Sequence, residues 1–179
     1  MKAIKRLTAL LLVMVIAFSA TTTTQAACTT PSKVKTAAKN CISETGWCIV
    51  IDQGANKMYV LKQTKTGNWK TEKSFRCICS DYLNPKYHYF LLRNRSTDKR
   101  AWGDSKTRWS YGMLVDCHED LMKRELRIQS YVQKYNKKTK KWVTKKDGVN
   151  NNFGWSVCES NAKWLYVNCK DGTAVMSVD

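Results

Sequence analysis

The chain has 179 residues, with 31 Lys plus Arg against 14 Asp plus Glu, a net charge of +17 and 43% hydrophobic residues. That apolar share is ordinary for a globular protein and excludes a disordered basic tail, and the length favours one domain. Only His88 and His118 supply imidazoles, which excludes a His-rich metal site and any catalysis that needs several histidines.

In chain order, residues 1–26 read as an export signal. Lys2, Lys5 and Arg6 form a positive start, Leu7 to Ala20 is an apolar run, and Thr24-Gln25-Ala26 sets small residues around a cleavage point. The run is shorter than the roughly 18–20 residues that span a bilayer, so no stable membrane insertion is expected after cleavage. Removing the segment takes away three cations and no acid, which leaves +14 on a secreted, extracellular or cell-wall-associated protein.

Residues 27–45 read as a polar N-terminal leader, tied down through Cys28 or Cys41. From Trp47 the pattern turns to strands. Cys48 to Asp52 is a short apolar run, Gln53-Gly54-Ala55-Asn56 supplies turn residues, and Lys57 to Lys62 alternates. After the turn Thr66-Gly67-Asn68, Trp69 to Ser80 reads as a pair of strands. His88 to Leu92, Tyr111 to Cys117 and Leu126 to Tyr135 follow as strands, Lys137 to Lys146 as a basic loop or hairpin tip, and Val175 to Val178 as a closing strand. Ser160 to Asn168 alone looks helical, with Ala162, Leu165 and Tyr166 on one side. The expectation is one mainly β domain over residues 46–179.

Eight cysteines survive signal removal: Cys28, Cys41, Cys48, Cys77, Cys79, Cys117, Cys158 and Cys169. An even count in an exported chain points to disulfides, whose pairing stays open among 105 possibilities. Zinc is disfavoured, because Cys77-Ile78-Cys79 has one intervening residue where thiolate knuckles have two to four. Cys77 and Cys79 fall on the same face of a strand and are expected to bond elsewhere rather than to each other. Neither a metal nor a cofactor is expected.

Four segments, in this order, resemble the catalytic domain of the L,D-transpeptidase (YkuD-type) family. Ile49-Val50-Ile51-Asp52 with Asn56-Lys57-Met58-Tyr59-Val60 is similar to its opening hairpin. Cys79-Ser80 with Asn84-Pro85-Lys86-Tyr87-His88-Tyr89-Phe90-Leu91 resembles a turn leading into a strand, and Trp109 to Met113 the entry to the active-site strand. Asn161-Ala162-Lys163-Trp164-Leu165-Tyr166, then Asn168-Cys169-Lys170-Asp171-Gly172-Thr173-Ala174-Val175, resembles the helix after the catalytic loop and the closing strand. The resemblance covers about three quarters of the chain and implies a β-sandwich with one short helix after the catalytic-loop position. It also implies action on peptidoglycan, where a cysteine thiolate attacks a stem-peptide carbonyl, a histidine handles the proton and backbone donors hold the oxyanion.

Carried over residue by residue, the family's chemistry is missing. The nucleophile position falls on Gly154, the loop histidine on Asn152, the arginine on Ser156 and the strand base on Gln129, while Ser130 persists. A glycine has no nucleophile and a glutamine cannot exchange a proton near neutral pH. Cys158, four residues past Gly154, is the fallback nucleophile, although it starts the helix and reads first as half of a disulfide. His88 and His118 read as surface or packed residues rather than bases.

The remaining features fit binding. Lys134 to Lys146 holds seven lysines, including Lys140, Lys141, Lys145 and Lys146, with Tyr135 and Trp142 interleaved. A solvated hairpin tip is the plain reading of such a run. An anionic polymer footprint is the functional one, and export makes peptidoglycan or another wall polymer the expected partner rather than nucleic acid. Trp102, Trp109, Trp142, Trp155 and Trp164 are the aromatic candidates for stacking on sugars; core packing is the default for Trp164, and Trp155, in the former catalytic loop, is the most suggestive exception. Two readings compete, both as a monomer: a non-catalytic wall-binding protein, and an active L,D-transpeptidase working through Cys158.

Overall fold

The computed structural model describes residues 29–79, 89–97, 100–101, 107–117, 126–144 and 154–179. The expected signal segment lies outside them. No helix among the described residues is long and apolar enough to cross a membrane.

Thirteen strands and two helices are described: α1 (Ser32–Lys39), β1 (Trp47–Asp52), β2 (Lys57–Gln63), β3 (Trp69–Arg76), β4 (Ile78–Cys79), β5 (Tyr89–Ser96), β6 (Arg100–Ala101), β7 (Thr107–Trp109), β8 (Gly112–Cys117), β9 (Leu126–Ser130), β10 (Gln133–Asn136), β11 (Lys141–Thr144), β12 (Gly154–Val157), α2 (Glu159–Asn168) and β13 (Ala174–Val178). Nine strands form one sheet in the order β3-β2-β1-β13-β5-β8-β9-β12-β4, and β11-β10-β7-β6 form a second. The mainly β expectation holds, and the helix expected after the catalytic-loop position is α2.

The two edges of the large sheet, β3 and β4, are consecutive in the chain and separated only by Cys77. A sheet whose opposite edges meet must fold over on itself. Its inner face accordingly gathers Ile49, Met58, Phe75, Phe90, Met113, Ile128, Trp155 and Val157, from strands along its whole width, into one buried cluster. Helix α2 adds Ala162 and Leu165 to that core. The Trp69–Ser80 strand pair is therefore no hairpin, because its two strands face opposite ends of the sheet.

The outer face of β1, β2 and β13 carries a second core, and α1 covers it. Val34, Ala37 and Ala38 recur at the spacing of one helix face and are buried with Cys48, Val50, Tyr59, Leu61 and Ala174. This explains the unbroken apolar run at β1, since a strand buried on both faces has no polar side to show. Lys33 of α1 reaches back to the buried Asp52 at 2.8 Å, and the Cys41–Cys48 disulfide pins the end of the leader to β1. The leader had no helical expectation because its eight-residue helix is short and mostly lysine, threonine and alanine. Tertiary burial rather than propensity holds it in place.

Candidate functional site

The matched catalytic positions are carried by β9 and β12, which run parallel with Gly154 beside Arg127, Trp155 beside Ile128, Ser156 beside Gln129 and Val157 beside Ser130. Strand alternation sends Ile128, Trp155 and Val157 into the inner core. Gln129, Ser156 and Gly154 therefore lie on the opposite face. Three positions chosen by sequence matching are neighbours in space, with Ser156 directly across from Gln129. Both of these side chains are buried. Asn152 lies outside the described residues, as do His88 and His118.

Gly154 cannot host a nucleophile. Its φ is +129°, and a Cβ added there would sit 2.1 Å from the Arg127 carbonyl oxygen and 2.7 Å from the Arg127 nitrogen. The backbones of β9 and β12 leave no space for any side chain. The glycine reads in sequence as a lost cysteine, whereas in the structure the strand pairing requires it.

Ser130 takes part in a buried hydroxyl relay that sequence reasoning missed. The Ser110 amide donates to Ser130 Oγ at 2.8 Å, and Ser110 Oγ lies 3.1 Å from Ser130 Oγ and 3.2 Å from Glu159 Oε1. The Ser130 amide in turn donates to the Ser110 carbonyl at 3.0 Å. The relay ties the end of β9 to the first turn of α2, where a carboxylate also suits the helix dipole. Nothing in the spacing of Ser110, Ser130 and Glu159 marks them as partners before the fold is known.

Cys158 occupies the N-cap of α2, half-buried and as a thiol, with its sulfur 3.2 Å from Ser160 Oγ. The expected disulfide at Cys158 is absent, and nearby Tyr131 has a phenol raised above its ordinary pKa, by burial first and by the Cys158 sulfur second. Across β12, the antiparallel β4 places Cys79 beside Trp155. Cys77 and Cys79 lie with sulfurs 3.8 Å apart. That contact, followed by burial, holds the Cys77 thiol far above its usual range. Burial also pushes Cys169 up to about 12, opposed only by Arg95.

The disulfide framework is thus narrower than the even cysteine count implied. Among the described residues Cys41–Cys48 is the one bridge, and Cys77, Cys79, Cys158 and Cys169 are thiols. The physical reason is placement: Cys77 and Cys169 are packed in the inner core, where they act as small apolar groups. No group of three or more His, Cys, Asp or Glu among the described residues could hold a metal.

The binding candidates divide. Trp155 is fully buried against Phe90, so the expectation that it stacks on a ligand is corrected: its ring is a core residue. Its place on β12 was hidden because the segment before it gave no strand signal. Trp142 is half-buried on the β10–β11 hairpin, where Arg108 lies 4.2 Å over its ring and Tyr135 packs at 5.4 Å, so one face is already taken. Lys140 and Lys141 are exposed at the hairpin turn, as the plain reading expected. Lys145 and Lys146 lie outside the described residues.

No family model matches the sequence, and no curated protein matches it either. Solved structures do resemble the fold. A fused Zn-dependent amidase/peptidase/peptidoglycan-binding domain-containing protein from Clostridium acetobutylicum aligns with a TM-score of 0.54 at 18% identity, over 82% of this chain and 60% of that one. An L,D-transpeptidase from Stackebrandtia nassauensis aligns at 0.51 and 10% identity, over 79% and 60%. L,D-transpeptidase 1 of Mycobacterium tuberculosis aligns at 0.50 and 10% identity, over 75% and 62%. The fold is L,D-transpeptidase-like, and the chain spans about three fifths of the length of each of these structures.

Proposed function

We propose that this protein is an exported, non-catalytic member of the L,D-transpeptidase fold that binds peptidoglycan or another anionic wall polymer. One observation carries the reading. At the position where the fold's chemistry needs a thiolate, Gly154 is enclosed by the Arg127 backbone, and a Cβ there would stand 2.1 Å from a carbonyl oxygen. The adjoining base position holds Gln129, which cannot take a proton. With the reaction gone, what remains is a strongly basic protein with exposed lysines along the β10–β11 turn. Positive charge outside the membrane favours anionic wall polymers.

The second reading, an active transpeptidase, has one observation in its favour: Cys158 is a half-buried thiol at a helix start rather than half of a disulfide. One experiment separates the two. The mature protein is incubated with a carbapenem and its intact mass measured, and in parallel it is sedimented with purified sacculi across a salt series. We expect no adduct, and cosedimentation that weakens as salt rises. A single adduct mapping to Cys158 would establish the enzyme reading instead, and absence from the sacculus pellet at low salt would sink the binding one.

A further inference from the structure

A cavity of about 250 Å³ lies between α1 and the β2–β3 hairpin, away from the strands that carry the matched catalytic positions. Its walls are Thr30, Lys35, Lys39, Asn68, Trp69 and Thr71, and Leu61 forms part of its floor. Each of these arrives by an identifiable route.

Strand alternation alone would put Trp69 and Thr71 on the same face as Lys73 and Phe75. Phe75 belongs to the inner core, and Lys73 lies 4.7 Å over Trp164 on that same side. The register shifts, however, so that Val60 faces Lys73 while Leu61 faces Thr71, with Glu72 inserted between. This bulge turns Trp69 and Thr71 to the outer face, toward α1. Trp69 then packs against the outer core with its ring half-exposed, and Thr71 Oγ1 meets Thr30 Oγ1 at 2.5 Å. Bulges commonly re-aim side chains beside binding sites.

The turn after β2 sets the other wall. Gly67 adopts φ +82° with nothing within 4 Å of a would-be Cβ, which keeps the rim open, and Asn68 is fixed by the hydroxyls of Thr64 and Thr66. Lys35 and Lys39 stand one turn apart on the exposed face of α1. Neither has an ion-pair partner among the described residues. Lys33, on the same helix, is by contrast taken by Asp52.

We infer that this cavity binds a single sugar ring carrying a carboxylate or phosphate. An indole face complements the apolar, weakly positive C–H face of a pyranose. The Thr30 and Thr71 hydroxyls and the Asn68 amide can both donate and accept, as sugar hydroxyls require. Two unpaired ammonium groups on one wall select an anionic substituent. The volume falls below the roughly 300–1,000 Å³ of drug-sized pockets, so it holds one ring rather than an extended oligomer. Trp69 and Thr71 would not face α1 together without the bulge at Glu72.

The test titrates the mature protein with glucuronic acid, glucose 6-phosphate, glucose and inorganic phosphate, following the Trp69 indole N–H by NMR. Both acidic sugars should shift that resonance saturably, and glucose should bind at least about tenfold more weakly. K35Q/K39Q, on an exposed helix face, should remove the preference for acidic sugars while the spectrum elsewhere stays native. Read from the backbone amide shifts of Asn68 and Thr71, because neither variant carries the indole, Trp69→Ala should abolish binding, and Trp69→Phe, which keeps a ring against the outer core, should weaken it about threefold to tenfold. Agreement between the carboxylate and phosphate sugars supports the shared chemistry, and a preference for one identifies the source. Equal binding of inorganic phosphate and the sugars would overturn the proposal, because a charge patch alone would explain it. No shift with any sugar would also overturn it. Neither outcome bears on sacculus binding through the lysine hairpin, so failure here is distinguishable from failure of the wall-binding reading.

Discussion

At the scale of single residues, Gly154 and Gly67 form a natural pair. Both adopt positive φ, at +129° and +82°, where a side chain is strained. They differ in surroundings: Gly154 would drive a Cβ into the Arg127 backbone, while Gly67 opens onto free space. Gly67→Ala should therefore cost only the left-handed strain, about 1–2 kcal/mol. Gly154→Ala adds a backbone collision that forces β9 and β12 apart, so its cost should exceed about 3 kcal/mol. Urea denaturation of the two variants checks this, and equal losses would show that β12 shifts freely. The same contrast bears on evolution of the site, since Gly154→Cys would disrupt the pairing before it supplied a thiol. From the sequence, Gly154 reads as the position that matches the nucleophile of the family it resembles. That no nucleophile fits there is not legible, because it depends on how closely a non-adjacent strand approaches.

At the scale of elements, the leader is held by three different interactions: apolar burial of α1, the Lys33–Asp52 pair and the Cys41–Cys48 disulfide. The disulfide closes a short loop, with a sequence separation of 7. Chain entropy for so short a loop gives about 2 kcal/mol, equivalent to a fall in Tm of about 4–8 °C for a domain of this size. Cys41→Ala, at the half-buried member of the pair, should show that fall by calorimetry, and an unchanged Tm would mean that α1 is held by burial alone. How far the elements were legible follows from their hydrophobic patterns. The unbroken apolar run at β1 and the alternation in β2 identify strands, but the layer that covers the outer face of β1 was not read from the run. That α1 supplies the cover was hidden, because three small apolar residues among lysines and threonines give a weak helical signal. The bulge at Glu72 was hidden too: Trp69, Thr71, Lys73 and Phe75 share one parity in the sequence and split between two faces in the fold. Short β12 lacked a pattern of its own and is defined by β9 and β4 on either side.

At the scale of the whole molecule, the inner and outer cores are two faces of the same strands. β1 sends Ile49 and Ile51 inward and Cys48 and Val50 outward, and β2 does the same with Met58 and Val60 against Tyr59 and Leu61. Because the sheet folds over until β3 and β4 meet through Cys77, loosening β1 or β2 also loosens the wall of the inner core. The two layers should then unfold as one cooperative unit, despite the small size of the outer one. Val34→Ala tests this from the outside. Val34 is fully buried beneath α1 and touches none of the matched catalytic positions, so the substitution removes outer packing alone at a cost of about 2 kcal/mol. Its midpoint should fall by the same amount whether followed by far-UV circular dichroism or by exchange of the β9 and β12 amides, which lie on the far side of the sheet from α1. If exchange near α1 accelerates while the β12 amides keep their protection, the leader is a separable layer, and the folded-over sheet is stable without it.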